Sequence, residues 1–319
     1  MVLRRARRVL ASYRARARMS YNKALMRRRG GFHNGYKIVP YQSGERGNQV
    51  IKDMLEGPNP VMVTRYGDTE LKAISSFVES AGPQELQMRL ANLHRASGFF
   101  PAELELFRRF VEVYEEAARE IDCLAIWNFQ HGRWAMEERL FRNYSPNAAL
   151  VSLNSLESWL FSDPWTYALR DKRVLVVHPF DESIRRQYTK RASIFADGRV
   201  LPQFRSLVTL RTVQSVAANP TRFETWFDAL DAMYSEVERV DFDVALIGAG
   251  AYGMPLAAHA KKLGKKAVHM AGVTQILFGI RGRRWEKTPL TDFFNDSWTR
   301  PLAEETPPGF ESVDQGAYW

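Results

Sequence analysis

Short apolar runs rich in β-branched residues recur along the chain, and between them lie segments whose apolar positions repeat every three or four residues. Candidate strands cover residues 61–65, 123–127, 149–153, 174–178, 207–211, 244–247 and 267–270. Helical periodicity is plainest over 102–121, where Leu104, Phe107, Val111, Tyr114, Ala118 and Ile121 share a face, and over 221–240, where Phe223, Phe227, Leu230, Met233 and Val237 do. Such a chain has few folds open to it. Strands that alternate with helices must pair in parallel, because each crossover helix packs back on the sheet. Continuous apolar strands fit a sheet covered on both faces. An α/β fold follows, with a parallel sheet flanked by helices. No internal repeat is present.

Charge divides the chain unevenly. The first 30 residues carry ten arginines and one lysine and no acid, which leaves 34 basic against 36 acidic side chains in the rest. The net charge of +9 is therefore a local property. Residues 1–30 read as a basic helical arm with Leu3, Val9, Leu10, Tyr13, Met19, Tyr21, Leu25 and Met26 scattered among the arginines. That mixture suits an anionic membrane surface, where each basic group contributes about 1 kcal/mol. A nucleic-acid-binding arm, a transit peptide and a disordered tail are the competing readings, and nucleic acid is the weaker partner since the rest of the chain lacks comparable basic density. Gly30 and Gly31 mark a joint. The globular part is expected over 45–290, followed by an irregular tail over 291–319 that wraps the surface. No run approaches the roughly 20 apolar residues of a membrane span, and no apolar signal segment is visible. A cytoplasmic protein, peripheral on the inner membrane face, is expected. The lone Cys123 sits in an apolar run and reads as a buried structural thiol.

Ligands of parallel sheets bind beyond the carboxyl ends of the strands, so the residues after each strand are the candidates. After the first strand come Arg65, Gly67, Asp68 and Glu70. Two carboxylates two residues apart suit Mg²⁺ or Mn²⁺ with diphosphate oxygens completing the shell, and Arg65 suits phosphate. The same residues also suit an ordinary helix start. After the sixth strand, Gly248, Gly250, Tyr252 and Gly253 form a glycine loop that opens a helix with Pro255 in its first turn, an arrangement for phosphate at a helix N-terminus. The acidic residue expected about 20 positions later in an NAD-binding fold is missing. His178, Asp181, Glu182 and Ser183 follow the fourth strand and supply candidate catalytic groups, or merely a helix cap. Gly272, Thr274, Gln275, Arg281, Arg283, Arg284 and Trp285 follow the seventh, where arginines beside an aromatic suit a diphosphate or a sugar ring. Asn128, Gln130, His131 and Arg133 lie among aromatic rings after the second.

Together these residues resemble a family. Arg65-Tyr-Gly-Asp-Thr-Glu70 is similar to the Arg-Phe/Tyr-Gly-Asp-Gly-Glu signature of GT-D glycosyltransferases, with Thr69 where glycine is common. The glycine loop and the stretch from Gly272 to Trp285 resemble the C-terminal half of bacterial polysaccharide-locus proteins. The likeness spans roughly residues 45–290. It implies a Rossmann-like, GT-D-like fold and sugar transfer from a nucleotide-sugar donor, with a UDP-sugar foremost, to a glycan or lipid-linked acceptor. It further implies Mn²⁺ or Mg²⁺ on Asp68 and Glu70. Arg65, Gly67, Gly248, Gly250, Tyr252, Gly253, Gln275 and Arg284 would hold the donor, with Asp181, Glu182 or His178 in catalysis. Two rivals stay open: another nucleotide- or S-adenosylmethionine-dependent transferase using the glycine loop, and a non-catalytic module that binds through the arm.

Overall fold

The computed structural model describes residues 41–127 and 131–319, without the side chains of His131, Gly132 and Trp134. The basic arm, with the membrane reading attached to it, lies outside the described residues, as do Asn128 and Gln130 and the side chain of His131. Among the described residues no helix is long and apolar enough to cross a membrane.

Seven strands form one parallel sheet. They are β1 (Val61–Thr64), β2 (Cys123–Ile126), β3 (Ala149–Ser152), β4 (Arg173–Val177), β5 (Ser206–Leu210), β6 (Val244–Ile247) and β7 (Lys266–His269), in the spatial order β3-β2-β1-β7-β6-β4-β5. All neighbours pair in parallel. The chain starts in the middle with β1, moves outward through β2 and β3, crosses to β4 and β5, and returns inward through β6 and β7. The two wings meet where β1 pairs with β7, and at such a reversal the loops above neighbouring strands part to leave a crevice.

Helices cover both faces, which explains the unbroken apolar strands. Met62, Leu124, Leu175, Ala245 and Ala267 point to one layer. It is built from α2 (Asp68–Val78), α3 (Pro83–Ser97), α4 (Leu104–Arg119), α5 (His131–Tyr144), α8 (Trp226–Glu238) and α9 (Gly253–Lys262). Their neighbours Val63, Cys123, Val176, Leu246 and Val268 point to the other. That layer uses α1 (Glu45–Glu56), α6 (Asp181–Tyr188), the short α7 (Arg191–Ile194) and α10 (Thr274–Leu277), several 3₁₀ turns and the tail. Alternation along each strand thus feeds two cores instead of one. Cys123 is fully buried on β2, and burial pushes its thiol up to about 12, as for an inert structural cysteine.

Polar residues fasten the amino ends of the strands. Arg173 donates its backbone N–H and guanidinium to Asp243 (2.8 and 2.6 Å), tying β4 to β6. Asp122 accepts from the Met62 amide at 2.8 Å and pairs with Lys261 of α9. The tail departs from expectation. Its regular structure is confined to short 3₁₀ turns, but it does not merely wrap the surface. Trp298, Val313 and Trp319 are buried in the second core. The Trp319 indole donates to the Glu305 carbonyl at 3.2 Å, and Arg300 donates to the Trp319 carbonyl at 2.6 Å. The reason is physical: the tail carries six aromatic residues, and burying Phe293, Trp298 and Trp319 against the second core removes their apolar surface from water.

Candidate active site

The carboxyl ends of β1, β7, β6 and β4 open into one cleft of about 620 Å³. That is a volume suited to a nucleotide-sized ligand. Arg65, Gly67, Asp68, Glu70, His178, Gly248, Gly250, Tyr252, Gln275 and Arg284 all line it, so residues from four separate sequence motifs meet there.

The loop after β1 is held by one carbonyl. The oxygen of Tyr66 accepts from Arg65 Nε and Nη2 (3.0 and 2.8 Å) and from the Trp127 indole (3.0 Å). The guanidinium groups of Arg65 and Arg133 both lie over the Trp127 ring, 4.6 and 5.1 Å from its centroid. Two cations on one indole give a fixed positive platform. Behind it, buried Glu137 of α5 accepts the Trp127 amide at 2.8 Å.

Asp68 opens α2. One of its oxygens takes the Arg133 Nε–H and the other takes Lys72 Nζ at 2.9 Å. Burial alone would raise its carboxyl, but the hydrogen bonds from Arg133 and Lys72 outweigh that and hold it below the usual carboxylate range. Glu70 is buried and lies so close over Gly67 that an added Cβ there would strike its carboxylate. Burial raises the Glu70 carboxyl, while its own helix amide and the Ser97 hydroxyl partly offset this by donating to it. Each acid is thus satisfied by the protein, one by two cations and the other by an amide and a hydroxyl. Among the described residues, no three of His, Cys, Asp and Glu stand together in a way that could hold an ion. The donor set does not fit the divalent metal that the Asp-x-Glu resemblance implies, because no oxygen of Asp68 faces the cleft without a cation already on it.

The glycine loop after β6 is a 3₁₀ turn, Gly250–Tyr252, that leads into α9. Gly250 has φ +53°, and its position lies against the Ser97 carbonyl. A Cβ on Gly248 would come within 2.6–2.7 Å of the His178 ring, the Ala271 carbonyl and Thr274 Oγ1, so only glycine lets the three elements close up there. Gly253 lies outside the cleft lining and packs on the His269 ring instead. Tyr252 stacks on Trp226 at 5.1 Å and presents its hydroxyl near Ser215.

No protein-family model matches this sequence, and no curated protein does. Two solved structures are similar to it. One is described as a new glycosyltransferase (DUF1792) from Streptococcus sanguinis, at 12% identity and a TM-score of 0.44, covering 83% of this chain and 96% of that one. The other is the selenomethionine-substituted structure of domain of unknown function 1792, at 13% identity and a TM-score of 0.43, covering 83% and 92%. At such values the likeness decides nothing about function, which has to be read from the cleft.

Some sequence candidates fall elsewhere. Asp181 and Glu182 do not line the cleft. Asp181 pairs with Arg211 at 2.5 Å, and Glu182 with Arg186 at 2.6 Å and with Arg185. The start of α6 is itself occupied by a buried acid of the tail, since Glu305 accepts the Glu182 and Ser183 amides at 2.8 and 3.0 Å. Both carboxylates are thus taken up by arginines outside the cleft lining, which does not favour them as bases. His178 does line the cleft, but its Nδ1 accepts the Phe180 amide at 3.0 Å and burial pushes it down to about 3. It is a neutral ring with its proton on Nε2, a donor and not a base. Gln275 is fully buried, and its amide nitrogen donates to the Tyr318 carbonyl at 3.0 Å. Arg284 reaches Asp314 at 2.9 Å and the Tyr318 hydroxyl at 3.0 Å.

Several cleft residues were not found by sequence reading. Lys72 stands one helical turn after Asp68, a spacing that marks an ordinary helix ion pair and attracts no notice. Ser97, Thr212, Ser215, Asp314, Tyr318 and Trp319 also line the cleft, and none belongs to a recognisable motif.

Proposed function

We propose that this chain is a glycosyltransferase whose cleft holds a nucleoside-diphosphate sugar, with a UDP-sugar as the expected donor, and passes the sugar to a hydroxyl of a glycan or lipid-linked acceptor. One observation carries the reading. Arg65, Lys72, Arg133 and Arg284 share a cleft with a glycine loop at a helix start and with the rings of Trp127, Tyr252, Tyr318 and Trp319. Guanidinium groups and loop amides suit a diphosphate, and aromatic walls suit a base or a sugar face.

The chemistry follows from those groups. In sugar transfer the diphosphate leaves with the electron pair of the anomeric C–O bond, and fixed positive charge stabilises it as that charge develops. The acceptor hydroxyl must lose its proton. Glu70 lines the cleft and its carboxyl is raised by burial, so once the acceptor hydroxyl takes the place of the Ser97 hydroxyl on it, it takes a proton more readily than Asp68, which two cations hold low. His178 supplies a fixed hydrogen-bond donor. We assign residues 1–30 to an anionic membrane surface, where lipid-linked acceptors reside.

Calorimetric titration of the full chain with UDP-, GDP- and dTDP-sugars tests the reading. One of them is expected to bind saturably, and Gly248→Val to abolish that binding by closing the loop against His178. If none of the three binds, the proposal fails.

A further inference from the structure

This inference rests on the reading just given and concerns how the donor's charge is met. We infer that Arg133 and Lys72 neutralise the donor diphosphate in place of a divalent cation, and that Asp68 is the resident counter-ion holding both at the cleft until the diphosphate takes them.

Three observations carry it. First, the two oxygens of Asp68 are each engaged by a different cation, Arg133 on one and Lys72 at 2.9 Å on the other. A divalent ion bound to Asp68 would have to enter between two positive side chains and would be repelled by both. Second, Glu70 offers no second ligand in this arrangement. Its carboxylate turns back over Gly67 towards its own helix amide and the Ser97 hydroxyl. Third, the cations are placed to act as ligands themselves. Lys72, Arg133 and Asp68 are each about a third or less exposed and all line the cleft, so the pairs are open to exchange on the ligand side. Arg133 shares the Trp127 ring with Arg65, so one indole carries two planar guanidinium groups. A planar guanidinium can grip phosphate through two N–H groups, whereas Lys72 supplies a point charge on a flexible stem.

In this account the carboxylate and the diphosphate compete for the same two cations. Before binding, Asp68 keeps Arg133 and Lys72 from repelling one another and from wandering. On binding, phosphate oxygens take over as acceptors, and Asp68 retains at most one of them. The charge that a metal would carry as a single +2 ion is carried by two side chains of the protein. This arrangement departs from the metal-holding role that the Arg-Tyr-Gly-Asp-Thr-Glu resemblance implies for Asp68.

The two roles of Asp68 make opposite predictions for the same variant. UDP and inorganic pyrophosphate are titrated calorimetrically into the full chain, once in EDTA and once in excess Mn²⁺, and Mn²⁺ alone is titrated in a third run. Mn²⁺ alone is expected to give no saturable heat, and the affinity for UDP to agree within about two-fold between EDTA and Mn²⁺. Asp68→Asn removes the competitor and is expected to bind UDP as tightly as the native chain or more tightly. Arg133→Gln and Lys72→Met are each expected to weaken binding at least ten-fold in either medium, with Arg133→Lys recovering part of the loss. Circular dichroism of each variant establishes that it is folded, and Arg133→Lys serves where Arg133→Gln is not. UDP binding that needs Mn²⁺ and disappears in folded Asp68→Asn overturns this inference while leaving the glycosyltransferase reading intact. Absence of UDP and pyrophosphate binding in both media overturns the two together.

Discussion

Glu137 lies fully buried on α5 with one oxygen on the Trp127 amide and the other without a partner. Burial pushes its carboxyl up to about 8 from an ordinary 4.5, although the nearby Arg65 pulls the other way. The folded chain therefore keeps a proton that the unfolded chain releases. Its contribution to stability is present below pH 4.5 and is lost as pH rises towards 8, at no more than about 1.4 kcal/mol per pH unit. Glu137→Gln keeps the acceptor for Trp127 and abolishes the titration. Urea unfolding at pH 5 and at pH 8 is expected to show the variant gaining on the native chain at the higher pH, and an equal difference at both values would refute the assignment. His178 has the opposite sign. Its ring is pushed down to about 3 from 6.5, so stability falls as pH drops through that window. In His178→Asn the side-chain oxygen can still accept from Phe180, and no proton is taken up. Its deficit relative to the native chain, measured by urea unfolding, is expected to shrink between pH 7 and pH 4.5.

At the scale of the element, local sequence decides more than position does. Thr225 and Asp228 form a reciprocal cap at the start of α8, with Thr225 Oγ1 accepting the Asp228 amide and Asp228 accepting the Thr225 amide at 2.9 Å. Thr225→Ala is expected to cost about 1 kcal/mol of unfolding free energy. Because Thr225 does not line the cleft, UDP affinity should stay unchanged, and a drop would mean that α8 positions the site. All seven strands were legible from apolar runs, each boundary within one residue of the observed one. The small offsets have a cause. Arg173, Ser206 and Lys266 join the ladder at strand starts that the apolar pattern leaves out, and Lys266 carries its ammonium away to the Leu55 carbonyl at 2.6 Å. Backbone pairing is indifferent to what the side chain does beyond its stem. The Asp-x-Glu corner was less legible. The same two letters describe metal ligands and a helix start, and what separates them is Lys72 one turn on and Arg133 from a different helix, α5. Spacing along the chain cannot show a partner 65 residues away.

For the whole molecule, the sequence led to the cleft but not to its walls. Strand ends converge on one edge of a parallel sheet by topology alone, which is why residues from four motifs meet there. The tail reaches the same edge through aromatic packing that leaves no periodic trace in its sequence. This division bears on the basic arm. Among the described residues, the two cores are built from Tyr41 onwards and the cleft is lined by residues from Arg65 onwards. Removal of residues 1–30 is expected to leave folding and UDP affinity unchanged. It takes away ten arginines and one lysine, and leaves a chain with 34 basic against 36 acidic groups. If the arm is the membrane contact, co-sedimentation of the full chain with vesicles rich in phosphatidylserine should be strong at low salt and fade as salt screens it. The truncated chain should then remain in the supernatant at every salt concentration. Should the truncated chain sediment as well as the full one, the membrane contact belongs to the globular unit. Should it lose UDP binding, the arm completes the site instead of anchoring it.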